Sequence, residues 1–355
     1  MQLGILGLPK VGKTTLFNTL TASHQATDKF AASAKTNVGV ARVPDPRLEA
    51  LRDLFSPRRY VPATVEYVDI PGLRRGEGES LDLAKLRTVD ALVHVVRAWD
   101  DPEIPHPDGG VDPARDVAGV DLELVVADHT LVERRLERLA QSAKGGLTAE
   151  EERERDLLAQ VVLPALEAER PLRELELQPD DERRLRGFQL LSGKPMLLVL
   201  NVAETAVATA DPAALGLRPQ AATGVVVVSA PIEEEISRLA PAEQREFLAD
   251  LGLAEPSLDR LLRSSYELLG LVSFFTVGED EVRAWTVRRG TRAQEAAAAI
   301  HSDIARGFIR AEVARWDDLV RLRTLAACRE AGRLRLEGKD YVVADGDVMH
   351  VRFSV

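Results

Sequence analysis

Gly7-Leu8-Pro9-Lys10-Val11-Gly12-Lys13-Thr14 fits the pattern G-x-x-x-x-G-K-[ST] without a mismatch. It lies between an apolar run, residues 3–6, and an amphipathic one, residues 15–20. A chain built around this stretch must supply a strand, a tight loop and a helix in that order, which is the context in which the pattern cradles polyphosphate. Glycines let the backbone curl so that its N–H groups face phosphate oxygens, and the following helix adds the positive end of its dipole. Pro9, Lys10, Val11, Gly12, Lys13, Thr14 and Thr15 are therefore the expected phosphate-site residues. Lys13 would neutralise charge on the terminal phosphates and Thr14 would hold Mg²⁺.

Short β-rich runs alternate with helical ones at residues 2–6, 38–43, 64–69 and 91–97, and return at 195–201 and 224–229. Near-continuous Val, Leu and Ile, as in Met196-Leu197-Leu198-Val199-Leu200, fit strands buried on both faces. The spacing predicts a doubly wound, mostly parallel α/β domain over 1–117 and 194–271. Between these parts, 118–193 turns long, charged and helical. Leu122, Val125, Val132, Leu136 and Leu139 form an a/d seam with His129 in the missing position. Lys144-Gly145-Gly146 breaks it, and a second helix over 148–169 carries Pro164 as a kink. An inserted helical hairpin, a coiled-coil arm, is the expected result. A third module, 272–355, shows strand-like runs at 273–277, 282–287, 308–313, 341–343 and 348–353 around an Ala-rich helix at 292–304, which suits a small mixed sheet grasping one helix.

The net charge of −11 argues against a uniformly basic nucleic-acid coat, while 272–355 is close to charge balance and is the expected nucleic-acid-facing part. No apolar run approaches the ~20 residues of a membrane helix. The expectation is a soluble, cytoplasmic monomer without a membrane partner. Cys328 is the single cysteine, which leaves no intramolecular disulfide and no thiolate metal cluster.

Two further motifs belong with the phosphate loop. Asp69-Ile70-Pro71-Gly72 closes the run 64–69. Asp69 can meet the Mg²⁺ shell and the Gly72 N–H can sense a terminal phosphate. Asn201-Val202-Ala203-Glu204 stands where a guanine-specific protein shows N-K-x-D. An aspartate there accepts from both donors on the guanine edge, so Val202 and Glu204 weaken the case for guanine. Asn201, Val202, Glu204, Ser229 and Ala230 are the expected base-pocket residues.

In combination these motifs resemble the YchF family, the Obg-like ATPases. The tail carries the resemblance furthest, in Phe274-Phe275-Thr276-Val277-Gly278-Glu279-Asp280-Glu281-Val282-Arg283-Ala284-Trp285, in Ile300-His301-Ser302-Asp303-Ile304 and in Gly307-Phe308-Ile309-Arg310-Ala311-Glu312. The resemblance spans essentially the whole chain. It implies an ATP-preferring P-loop NTPase with a Ras-like G domain, a C-terminal β-grasp (TGS) domain and nucleotide-dependent association with ribosomes, their subunits or rRNA. It also implies an unusual catalytic arrangement. Leu73 follows Gly72 where Ras-like proteins place a water-orienting Gln, and His106 in Ile104-Pro105-His106-Pro107-Asp108-Gly109 matches the family's substitute histidine.

This chain departs from the family pattern at several points. Lys10 replaces the usual Asn that, in potassium-activated relatives, helps hold a monovalent cation, so K⁺ dependence should be weak. Ser33 falls at the position of the Mg²⁺-linked Thr, with Thr36 nearby, and Ser229-Ala230-Pro231 replaces Ser-Ala-Lys. Nucleotide binding should survive these changes better than hydrolysis. The expected function is slow ATP hydrolysis with Mg²⁺ through Lys13, Gly72 and His106. The alternatives are a non-catalytic ATP-binding scaffold and a GTP-specific GTPase.

Overall fold

The computed structural model describes residues 1–21, 37–71, 81–217 and 222–354. Its chain runs β1 (Gln2–Leu6), α1 (Lys13–Thr21), β2 (Asn37–Arg42), α2 (Pro46–Phe55), β3 (Arg59–Val61), β4 (Thr64–Asp69), α3 (Leu81–Thr88), β5 (Ala91–Ala98) and α4 (Pro113–Ser142). Shorter helical pieces lead to β6 (Met196–Val202), β7 (Thr223–Val228), β8 (Leu271–Thr276), β9 (Glu281–Arg288), β10 (Phe308–Arg315), β11 (Arg335–Glu337) and β12 (Asp347–Phe353). Contacts divide it into two compact units, Met1–Val40 with Glu66–Ser264, and Ala41–Val65 with Ser265–Val355.

The first unit is built on a six-stranded sheet in the order β2-β4-β1-β5-β6-β7. β1 is parallel to both β4 and β5, and β5, β6 and β7 continue in parallel. Every residue of β6 is buried, the outcome foreshadowed by its unbroken apolar run. Because the strands are parallel, the loops after β1, β4, β5, β6 and β7 leave from one edge. This gathers the motif residues.

The helical insertion differs from expectation in three places. α4 is a single helix of 30 residues, with Pro113 in its first turn and Asp112 capping Arg115 N–H. Val125, Val132 and Leu139 are buried as the seam predicts, but Leu122 is 39% exposed. His129 is not in the seam core; it is partly exposed and pairs with Glu133 one turn on. The buried position is Asp128 instead. The second helix, opened by a Thr148–Glu151 capping box, widens to a π-turn over Leu158–Val162 just before Pro164. Proline has no N–H to continue the ladder, and the π-turn absorbs the defect. Leu157, Leu158, Val162 and Leu166 still reach the shared core.

The second unit holds a six-stranded mixed sheet in the order β11-β10-β12-β8-β9-β3. The helix Ala293–Ile300 buries Ala293, Ala296 and Ala297 against Val272, Phe274, Val313 and Met349. Residues 341–343 do not form the expected strand; Val342 makes an isolated bridge with Arg292. β11 supplies the edge strand instead, paired with β10. Residues 41–65, which the sequence grouped with the nucleotide-binding part, pack here: β3 runs parallel to β9, with Tyr60 opposite Val282.

Candidate functional site

The phosphate loop turns out of β1 through two backbone positions that require glycine. Gly7 has φ 144° and a Cβ there would lie 2.4 Å from the Val95 carbonyl oxygen. Gly12 has φ 96° and a Cβ would lie 2.5 Å from Asn201 Nδ2. Lys10, exposed at the loop's tip, adopts φ 63° without being glycine. Pro9 is half-buried and Val11 buried, anchoring the loop, and Leu16 N–H donates to Gly12 O to start α1.

Lys13 is buried, and its ammonium donates to the Gly7 and Leu8 carbonyls at 2.9 and 2.7 Å. Burial pulls its pKa down to about 8, against the pull of Asp69. Asp69, at the end of β4 opposite Ile5, is buried. Burial pushes its carboxyl up to about 6, opposed by the Lys13 charge and a hydrogen bond from Thr14. Thr14 and Thr15 are half-buried at the start of α1. A hydroxyl and a carboxylate in contact beside a buried ammonium form an all-oxygen donor set that fits a hard cation, with the ammonium left for phosphate. Gly72 and Ser33 lie outside the described residues.

Asn201 at the end of β6 does more than the sequence suggested. Its Nδ2 donates to Val11 O at 2.9 Å and its Oδ1 accepts from Ala230 N–H at 3.0 Å. One buried amide thus ties the phosphate loop to the loop after β7. Val202 is buried and Glu204 exposed, opening a 3-10 turn. Ser229 is fully buried at the N-cap of the helix Ala230–Ile236, its hydroxyl without a hydrogen-bond partner. Pro231 stands in the first turn of that helix, where a backbone N–H has no intrahelical acceptor, so it costs no ladder bond.

His106 lies in the loop after β5, at the same sheet edge. Its Nδ1 accepts from Asp108 N–H at 3.2 Å, and its Nε2 sits 2.9 Å from Asp116 Oδ2 in the first turn of α4. That second contact is close without hydrogen-bond alignment, so it is one of charge and proximity. Both side chains are 2% exposed. Arg115 Nε and Nη2 donate to the other Asp116 oxygen at 3.2 and 3.0 Å. His106, Asp108 and Asp116 come within 4.8 Å of one another, a spacing a cation could bridge. With Nδ1 accepting, however, the proton of a neutral imidazole is on Nε2, which is then no metal ligand. Sequence motifs gave no sign of Asp116. Its only signal is its place four residues after the capping Asp112.

Comparison with known proteins agrees with this geometry. Residues 271–354 match the family model YchF-GTPase_C, described as a protein of unknown function (DUF933), and residues 2–128 match one described as 50S ribosome-binding GTPase. The chain is 43% identical over 370 residues to the ribosome-binding ATPase YchF of Bacillus subtilis (strain 168), covering 99% of each. It is equally 43% identical to the protein of that name from Pasteurella multocida (strain Pm70), again over 99% of both. The solved Schizosaccharomyces pombe YchF GTPase superposes with a TM-score of 0.85 at 30% identity, covering 99% of this chain and 97% of that one. Among the described residues, no helix is long and apolar enough to cross a membrane. With a P-loop NTPase fold, a matching C-terminal domain and full-length likeness, the chain belongs to the YchF family.

Proposed function

We propose that this chain is a nucleotide-dependent switch that binds ATP with Mg²⁺, hydrolyses it slowly and associates with ribosomes in the cytoplasm. The observation that carries the reading is the Lys13, Thr14 and Asp69 cluster at the carboxyl ends of β1 and β4. Loop N–H groups and Lys13 bind the polyphosphate, and Thr14 with Asp69 holds the cation. Mg²⁺, when bound, neutralises charge developing on the transferred phosphoryl group. Gly72 senses the terminal phosphate and His106 orients water, roles that rest on the family resemblance and belong to a mechanism of positioning rather than covalent chemistry.

The base side favours adenine. Asn201 is committed to the fold through both ends of its amide, and the exposed Glu204 carboxylate can accept from an exocyclic amine. Glu204 stands at the position of the N-K-x-D aspartate with a side chain one methylene longer, a length not matched to clamping both guanine donors. Ribosome association is supported by the names of the curated relatives and by the 50S ribosome-binding GTPase match. The helical insertion and the C-terminal TGS-like unit are the proposed contact surfaces.

Competition of ATP and GTP for the purified protein tests the base assignment: tighter ATP binding is expected, and tighter GTP binding overturns it. Single-turnover hydrolysis by wild type and His106→Ala tests the chemistry. Slower cleavage with unchanged ATP affinity is expected, whereas equal rates would favour a scaffold that binds ATP without using this histidine.

A further inference from the structure

The loop between β5 and α4 holds His106 in a way that hydrolysis does not explain. A neutral imidazole offers one lone pair and one N–H. Here the lone pair on Nδ1 is taken by Asp108 N–H, and Nε2 is turned onto Asp116 with both side chains shut away from water. Nδ1 is thus used, and Nε2, though it makes no aligned hydrogen bond, is buried against Asp116 and turned away from water.

Asp116 is itself fixed. It sits in the first turn of α4, whose N-terminus is closed by Asp112 on Arg115 N–H. Arg115 grips the Asp116 oxygen that does not face His106 and also donates to Gly110 O at 2.6 Å. Loop and helix start are thus knitted together from Asp108 to Asp116, just beyond the histidine. The imidazole is the member of this set that can swing without unwinding the helix.

We propose that Asp116 is a positioning residue that latches His106 out of use, so that turnover requires the Nε2–Asp116 contact to open. This rests on the assignment of water orientation to His106. The chemistry is conformational: no bond is made or broken at the latch. The rate then scales with the fraction of molecules in which the latch is open.

The test is ATP turnover by wild type, Asp116→Asn, His106→Ala and the double variant, with thermal melting to check folding. Removing the charge while keeping the shape weakens the His106 contact together with the Arg115 grip that holds it in place, so Asp116→Asn should raise kcat about fivefold with KM for ATP unchanged. The gain should vanish in the His106→Ala background. An unchanged or lower kcat for Asp116→Asn, or an equal gain without His106, overturns the latch. If His106→Ala itself hydrolyses ATP at the wild-type rate, it is the role of His106 that has failed. Imidazole ¹H–¹⁵N spectra of wild type need no variant to fold. They should show His106 protonated on Nε2 alone, and a proton on Nδ1 overturns the proposal.

Discussion

Lys10 holds a left-handed backbone conformation, φ 63°, that asparagine tolerates better than lysine. Its exposed side chain carries a positive charge to the mouth of the phosphate loop, where a monovalent cation would be repelled. Wild-type ATP hydrolysis should therefore respond little to potassium, and Lys10→Asn should gain a potassium response; a strong response in wild type would count against this role. Asp69 sets a second dependence. In the role proposed for it, Asp69 must be ionised to hold the cation, and burial has raised its pKa to about 6. Mg²⁺-dependent nucleotide affinity should hold above that pH and fall, approaching about tenfold per unit, below it. Equilibrium titration from pH 5 to 8 measures this.

His94 on β5 adds a stability effect that no motif announced. It is buried between the lines of Leu6 and Leu198, and burial, with Arg173 and Lys13, pulls its pKa from 6.5 to about 3. The unfolded chain therefore takes up a proton below pH 6.5 that the folded one refuses, so stability falls as the pH drops. By pH 5 the loss is about 2 kcal/mol. Asp69 works the other way, because its raised pKa makes folding less favourable as the pH rises from 3.8 through 6. The discriminating measurement is the difference between wild-type and His94→Leu unfolding curves at pH 7 and 5, which should show the variant losing less. That Lys13, Thr14 and Asp69 come together was legible because each belongs to a short motif at the end of a strand, and parallel strands bring such ends to one edge. The Asn201 clasp and the His106–Asp116 contact were not, because each depends on a partner that only the fold brings near.

At the scale of elements, the seam of α4 shows what periodicity can and cannot give. Spacing located the buried stripe, yet within it lies an acid, Asp128, that is fully buried. The reason is backbone left unpaired at the turn before β6. Asp128 accepts from Leu191 N–H and Ser192 N–H at 2.9 and 2.7 Å, from Ser192 Oγ at 2.8 Å and from Arg87 at 3.1 Å. Burial pushes its pKa up, and these four donors oppose the shift. The helix is thereby fastened to the turn that leads into β6. Asp128→Ala would orphan two buried N–H groups and take the charge away from Arg87, which keeps its bonds to the Gln189 and Ala127 carbonyls, and should cost about 3–5 kcal/mol. Urea unfolding at neutral pH checks it; a change below about 1 kcal/mol would reduce the cluster to a surface-like contact.

At the scale of the whole molecule, chain order and spatial grouping part company at residues 41–65. These residues precede Asp69 in sequence but pack with 265–355, adding β3 to the second sheet and α2 against β9. β3 is only three residues long, too short to show a period, and its partner β9 begins at Glu281. The join is held by Arg47 in α2. It donates to Asp45, which caps the same helix, and to Asp345 at 2.7 and 3.2 Å, and its guanidinium lies over the Phe275 ring, 5.5 Å from the centroid. Asp345 in turn accepts from Ser273 N–H on β8 at 2.9 Å. Arg47→Ala removes the fork, the ring contact and the charged partner of Asp345 together. Asp345 is 44% exposed, so the loss is discounted for solvent and should come to about 1–2 kcal/mol. Arg47→Lys keeps the charge but not the planar fork, so it should recover only part of that loss. Hydrogen exchange gives the local readout: amides of β3 and of the first turn of α2 should lose protection in Arg47→Ala. Unaltered exchange there would mean that apolar packing alone holds the segment.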